Sequence, residues 1–185
     1  MKAKKFICCL LLLVLFTGVS LISCGNSSKA KADSEAVQSG EDFQSFLDKF
    51  TSSATFQYSR IKFPLKTPIT LFADDGETEK TFPFTKEKWP LLDSETMKEE
   101  RITQEEGGIY DSKFTVNDAK RKVFEAGYEE SEIDLRVEFE LSSDGKWYVV
   151  DCYTGWYGYD LPIEDLKKTI EQVKEENAAF KELHP

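Results

Sequence analysis

The sequence predicts an α+β domain in which helices come first, a run of antiparallel strands follows, and a helix closes the fold. Three observations carry this prediction. Phe43, Phe46, Leu47 and Phe50 recur at helical spacing and make one apolar face. Ile133, Leu135, Val137, Phe139 and Leu141 alternate with Asp134, Arg136, Glu138 and Glu140, the period-two pattern of a half-buried strand. Ile163, Leu166, Ile170, Val173 and Phe180 form a second helical stripe near the end of the chain.

The first helix is expected from 41 to about 52, with Ser39 and Asp42 three residues apart as a capping-box-like start. A short second helix or turn holds Phe56 and Tyr58, and Pro64 then favours extended chain. Residues 69–73 and 78–84 flank Asp74-Asp75-Gly76-Glu77, a hairpin turn signal, and Pro83 makes the second of these strands short or an edge. Residues 85–89 read as a helical turn ended by Pro90, and 94–102 show no clear period. Gly107-Gly108 break the chain before a strand at 109–116, and 121–128 read as another strand, although Val123-Phe124-Glu125-Ala126 also suits a helix. The alternating strand at 133–141 turns at 142–145 into 146–153. This partner strand is apolar on both faces and is therefore expected to be central. The closing helix runs from 162 to about 183, with Pro162 at its first position and Glu164 and Asp165 in its first turn.

The chain opens Met1-Lys2-Ala3-Lys4-Lys5, then runs apolar through 6–16. A basic stretch before a short apolar run is a secretory signal. A membrane-spanning helix is the competing reading, but residues 6–22 number only 17 and include Thr17, Gly18 and Ser20, which is at the short limit for a span. Leu21-Ile22-Ser23-Cys24 resembles the lipobox of bacterial lipoproteins, in which a diacylglyceride is joined to the cysteine sulfur before cleavage. The resemblance implies a signal peptide over 1–23, lipidation of Cys24, and attachment to a membrane. Each buried CH₂ contributes about 0.8 kcal/mol, and two acyl chains hold stably. Gly25 is not acidic, which under Gram-negative sorting favours the outer membrane. The lack of an acid before Asp33 favours its periplasmic face over the cell surface. After Cys24, the stretch 25–40 is small and polar and reads as a flexible tether. Sixteen such residues span roughly 20–25 Å. Residues 41–185 then form a single domain.

The formal net charge is −10, and loss of the leader, with three lysines and no acid, takes it to −13. That balance argues against a nucleic-acid partner and against lying flat on an anionic bilayer. The only histidine is His184, beside the C-terminus, which removes Ser-His and Cys-His catalysis and the usual zinc sites. Cys8 and Cys9 fall in the leader and Cys24 is consumed by lipid. Cys152 is left without a disulfide partner, among apolar neighbours that suit a small buried hydrophobe. No GxGxxG or P-loop occurs, and Asp74-Asp75-Gly76-Glu77 lacks the spacing of a calcium loop. No cofactor and no metal are expected.

The stretch Phe56-Gln57-Tyr58-Ser59-Arg60-Ile61-Lys62-Phe63-Pro64-Leu65, after Phe46-Leu47-Asp48-Lys49-Phe50, resembles a Bacteroidetes lipoprotein family of unknown function with a nuclear transport factor 2-like (cystatin-like) domain. Gly145-Lys146-Trp147-Tyr148-Val149-Val150 is similar to the last-strand pattern of that fold. The resemblance implies a curved antiparallel sheet wrapped around a helix as a cone. It brings no catalytic residues. Enzymes on such folds use a lone carboxylate in an apolar cone. Asp151 is the candidate here, against a sheet carboxylate that is paired or solvent-facing.

Two further groups of residues invite a functional reading. Trp156, Tyr157 and Tyr159, spaced by Gly155 and Gly158, offer an aromatic platform for sugars or apolar groups, or else seal the core. Arg60 either pairs with a buried carboxylate or binds an anion. The expected function is a non-enzymatic binding or accessory domain for a partner protein or an envelope glycan. The alternative is a small-molecule-binding or enzymatic cone with a buried carboxylate.

Overall fold

Asp42 starts the first helix, α1 (Phe43–Ser52), by accepting the Ser45 N–H at 2.8 Å, so the cap is Asp42 itself and not Ser39. The computed structural model describes residues 40–73, 75–104 and 108–184. The predicted signal peptide, Cys24 and nearly all of the tether lie outside these residues, as does Ser39. Ser53 ends α1 and caps α2 (Ala54–Ser59), its hydroxyl accepting from Phe56 N–H at 3.3 Å. Phe46, Leu47 and Phe50 turn inward from α1, as their spacing requires. Among the described residues no helix is long and apolar enough to cross a membrane.

Two sheets follow. β1 (Ile69–Phe72) and β2 (Glu79–Phe82) form an antiparallel hairpin. Its turn is held by Asp75, which accepts the N–H groups of Glu77 and Thr78, while Gly76 takes the left-handed conformation at φ 69°. The main sheet contains β3 (Glu100–Gln104), β4 (Gly108–Asn117), β5 (Arg121–Tyr128), β6 (Ile133–Leu141) and β7 (Trp147–Thr154), antiparallel and in sequence order. Residues 121–128 are strand throughout, and the stretch without period resolves into a turn at 94–97 and then β3. Register shifts interrupt three of the four ladders, and such bulges bend a sheet. α1 lies on the inner face, where Phe43, Phe46 and Phe50 each meet Phe139 at 5.5–5.8 Å in edge-on geometry.

β7, the partner of β6, is not central. It forms one border of the main sheet. Its apolar character on both faces has a different cause. Phe139 pairs with Val149 but Glu138 pairs with Asp151, so a bulge at Val150 reverses the parity. Trp147 and Val149 face inward before it, and Cys152 and Thr154, opposite Val137 and Leu135, face inward after it. The outer edge of β7 is then closed by irregular chain. Val149 N–H donates to Arg60 O, Lys62 N–H to Val149 O, and Lys66 N–H to Val150 O. The Phe63–Pro64 peptide within this cover is cis.

After β7 a 3-10 turn at Gly155–Tyr157 and another at Ile163–Asp165 lead into α3 (Leu166–Leu183). The closing helix thus starts four residues later than Pro162 suggests, because Pro162 caps the 3-10 turn instead. Leu166 and Val173 are buried along its inner stripe, with Thr169 and Asn177 completing it.

Glu41 ties the start of the domain to the far end of the sheet. Its carboxylate takes both Arg60 Nη atoms at 2.7 and 3.0 Å and the Trp147 N–H at 3.0 Å. Its carbonyl accepts the Trp147 indole N–H at 2.9 Å, and its own N–H donates to Gly145 O at 2.8 Å. Burial pushes this carboxyl up, but the Arg60 hydrogen bonds, the Trp147 N–H and the guanidinium charge outweigh it and hold the group below its ordinary value. Glu138 is likewise held low by its hydrogen bond from Arg121, against burial.

A carboxyl depressed in the folded state adds stability above its unfolded pKa, about 4.3 for Glu. That stability is lost as pH falls through the lower folded value. Urea unfolding should therefore show a full contribution at pH 7 that declines below about pH 5. Glu41→Gln should lower stability at pH 7 and flatten part of that acid limb. An unchanged acid limb in Glu41→Gln would contradict the assignment.

Candidate functional site

A groove of about 840 Å³ lies between the C-terminal half of α3, the segment 90–96 and one end of the main sheet. The sheet end comprises Tyr110 and Ser112 of β4, Asp134 and Leu135 of β6, and the exit from β7 through Trp156. Glu41 and the 142–146 turn lie at the opposite end of β6 and β7. The groove therefore opens away from the point where the chain comes into the domain.

Segment 90–92 has no regular structure, so its backbone needs other partners. Two buried amides supply them. Gln57, with no exposed surface, donates to Phe50 O and Leu92 O at 2.7 and 2.9 Å and accepts from the Trp89 indole and Leu92 N–H at 2.8 and 2.9 Å. All four of its hydrogen-bonding positions are used. Asn177 accepts Leu91 N–H at 2.7 Å and donates to Trp89 O at 2.8 Å. On the β3 side, Ser112 Oγ donates to Lys98 O at 2.7 Å and accepts Glu100 N–H at 3.0 Å.

The groove is acidic. Asp93, Glu95, Glu100, Asp134 and Glu176 line it, with no lysine or arginine among the lining residues. The adjoining cation is Lys98, 3.8 Å from Glu95 and 3.5 Å from Glu100. Asp93 is occupied by the Thr96 N–H and hydroxyl, whereas Asp134 and Glu176 form no ion pair among the described residues. Interleaved with these carboxylates are Leu91, Trp156, Phe180 and Leu183, the last 76% exposed.

The three aromatic candidates do not converge. Trp156 is half-buried and lines the groove. Tyr157, next in the same 3-10 turn, points about 120° away and is buried. Its hydroxyl donates to Lys88 O at 2.9 Å and its ring stands edge-on to Phe84 at 5.7 Å. Burial pushes its phenol up. Tyr159 is 62% exposed and borders a separate cleft of about 250 Å³ with Thr67, Arg136, Asp151 and Tyr153.

Asp151 is buried beside that smaller cleft and shares a ladder position with Glu138, whose side chain meets Arg121 and Arg136. Its carboxylate accepts the Thr67 N–H and hydroxyl and the Cys152 N–H at 2.8–3.0 Å. Arg60 is far from both cavities in function: its guanidinium is held by Glu41 and stacks over the Phe56 ring at 4.5 Å. Burial pushes the Cys152 thiol well up, which suits an inert side chain. Among the described residues no group of three or more His, Cys, Asp or Glu is placed to hold a metal ion.

The chain is 87% identical to a cystatin-like protein from Bacteroides caccae, covering 80% of this chain and 98% of that one, with a TM-score of 0.78. A family model also matches residues 41–181. The chain belongs to this Bacteroides cystatin-like family. A second family member of known structure, from Bacteroides ovatus, is 80% identical over 87% of this chain and all of its own, with a TM-score of 0.75. A third, from Bacteroides uniformis, is 69% identical over 79% and 98%, with a TM-score of 0.74. No curated protein matches. The cystatin-like family thus supplies the α+β architecture of helices, antiparallel sheet and closing helix.

The different surroundings of the three aromatics predict different costs. Tyr157→Ala should destabilise the cystatin-like domain by about 3–5 kcal/mol, the range for a core aromatic. Tyr159→Ala should stay within about 0.5 kcal/mol, with Trp156→Ala between them. Urea unfolding of the three variants checks the order.

Proposed function

We propose that the protein is a lipid-anchored, non-enzymatic binding protein of the bacterial cell envelope. In this reading Cys24 carries the lipid, the outer membrane holds the chain on its periplasmic side, and the groove receives a partner protein or an envelope glycan. The sheet wraps α1 as a nuclear transport factor 2-like cone whose open end is the groove. The observation that carries the reading is the groove itself. It falls within the roughly 300–1,000 Å³ of binding clefts, it combines apolar side chains with Asp134 and Glu176, which form no ion pair among the described residues, and it opens at the end away from Glu41.

A second reading takes its support from Asp151. The 250 Å³ cleft beside it, edged by Tyr153, Tyr157 and Tyr159, would suit a small molecule, with the carboxylate's remaining lone pair accepting a ligand hydroxyl.

Two measurements test the main reading. In cells, Cys24→Ala should leave the protein unprocessed or in the aqueous phase, while the unaltered protein partitions into detergent. Wild-type protein in the aqueous phase would remove the anchor from the proposal. A photo-crosslinking amino acid at Leu183, on the groove, should give discrete adducts that the same group at Lys113, on the outer face of β4, does not. Matching patterns at the two positions would reject the groove as a binding site.

A further inference from the structure

The two borders of the main sheet are treated differently. The edge of β7 is closed by three backbone hydrogen bonds from the 60–66 segment. β3, at the other border, pairs with β4 and with no other strand among the described residues. Natural edges are blunted by short length, charged side chains, proline, bulges or a cover. Of these β3 carries two charged side chains, Glu100 and Arg101, of which Arg101 is tied down by Asp111 and Glu129. β3, Glu-Arg-Ile-Thr-Gln, contains no proline or lysine and pairs with β4 without a register shift. Its five residues are an ordinary strand length.

The side chains beside this edge indicate what would fit it. Ile102 is exposed and lies opposite Tyr110, which lies opposite Tyr128, itself exposed. Glu100 projects from β3 into the groove wall. Arg101 is held on the other face by Asp111 and Glu129, at 3.6 and 2.7 Å. The basic residue of β3 is thus kept from the groove, whose lining Glu100 shares with Asp134 and Glu176, both without an ion pair among the described residues.

The geometry points to an extended, Lys- or Arg-bearing segment of a partner polypeptide that adds as a strand to the free edge of β3 and turns alternate basic side chains into the acidic groove. This rests on the groove-binding reading above and names its occupant. Strand addition takes affinity from main-chain hydrogen bonds and specificity from alternate side chains, which in a strand fall on one face. The carboxylates meet ammonium or guanidinium groups, which a neutral glycan lacks. Ile102, Tyr110 and Trp156 cover the aliphatic stems of those side chains.

The test uses the whole protein and a capped nine-residue peptide alternating lysine and threonine. Two companions accompany it, one with glutamate for lysine and one N-methylated at the amides that would pair with β3. The lysine peptide should shift the backbone amides of 100–104 together with those of Asp134 and Glu176 and the Trp156 indole. Its affinity should weaken with salt. N-methylation should weaken it at least tenfold, as should Asp134→Lys with Glu176→Lys, a double variant of two surface positions whose unfolding midpoint should stay near wild type.

Equal binding of the N-methylated peptide would overturn strand addition, and equal binding of the glutamate peptide would overturn charge recognition. Absence of any shift with the lysine peptide would overturn the inference as a whole. Shifts in the groove with chitotetraose but not with the lysine peptide would assign the groove to a glycan. In each of these cases the Leu183 crosslinks, if present, still stand for the broader binding reading. Their absence is what removes it.

Discussion

One carboxylate connects parts of this domain that are far apart in sequence. Glu41 precedes the first helix, Arg60 follows the second, and Trp147 begins the last strand, and all three meet through Glu41. A charged hydrogen bond contributes about 1.5–3 kcal/mol, and here two charged groups share a half-buried position with a backbone N–H. The consequence is geometric as well as energetic. With α1 pinned at its start, Phe43, Phe46 and Phe50 are delivered onto Phe139. With Arg60 pinned, the following residues are laid along β7 and close that edge.

Closing one edge leaves β3 at the other border, paired with β4 alone among the described strands. The groove beside it keeps its shape because a wall with no regular structure is held by Gln57 and Asn177. Removing Gln57 would strand four buried backbone or indole groups at once, each costing about 1–3 kcal/mol when unmatched. Packing alone would not set the position of such a wall. The amides fix it by specifying where Leu91 and Leu92 must lie.

Much of the architecture was legible from pattern. The strict alternation from Ile133 to Leu141 is β6, the stripe Phe43, Phe46, Leu47, Phe50 is α1, and both follow from faces that must be buried. What pattern misses has physical reasons. Parity in β7 is broken by one extra residue at Val150, so apolar side chains on both faces came from a bulge and not from a central position. Gln57 and Asn177 are ordinary helix residues by composition, and only the three-dimensional course of 89–92 makes them essential. Trp156 and Tyr157 are neighbours in sequence, yet a 3-10 turn sends one to the groove and the other to the core. Glu100, Asp134 and Glu176 come from three elements, and no local signal announces that they share a cavity. Of the aromatic run only Trp156 lines this groove, and the carboxylates around it are visible in the sequence only as net charge.

The position of Glu41 also sets how the domain would respond to load. Tension entering the described residues at Gly40 arrives at Glu41 before it can reach the first turn of α1. There it meets bonds to Gly145 and Trp147 together with the bidentate Arg60 pair, all of which must stretch along with the β6–β7 turn. That cluster lies ahead of α1 in the chain, and protonation of Glu41 would loosen it. Tension on the chain and protonation of Glu41 thus act on the same cluster of hydrogen bonds.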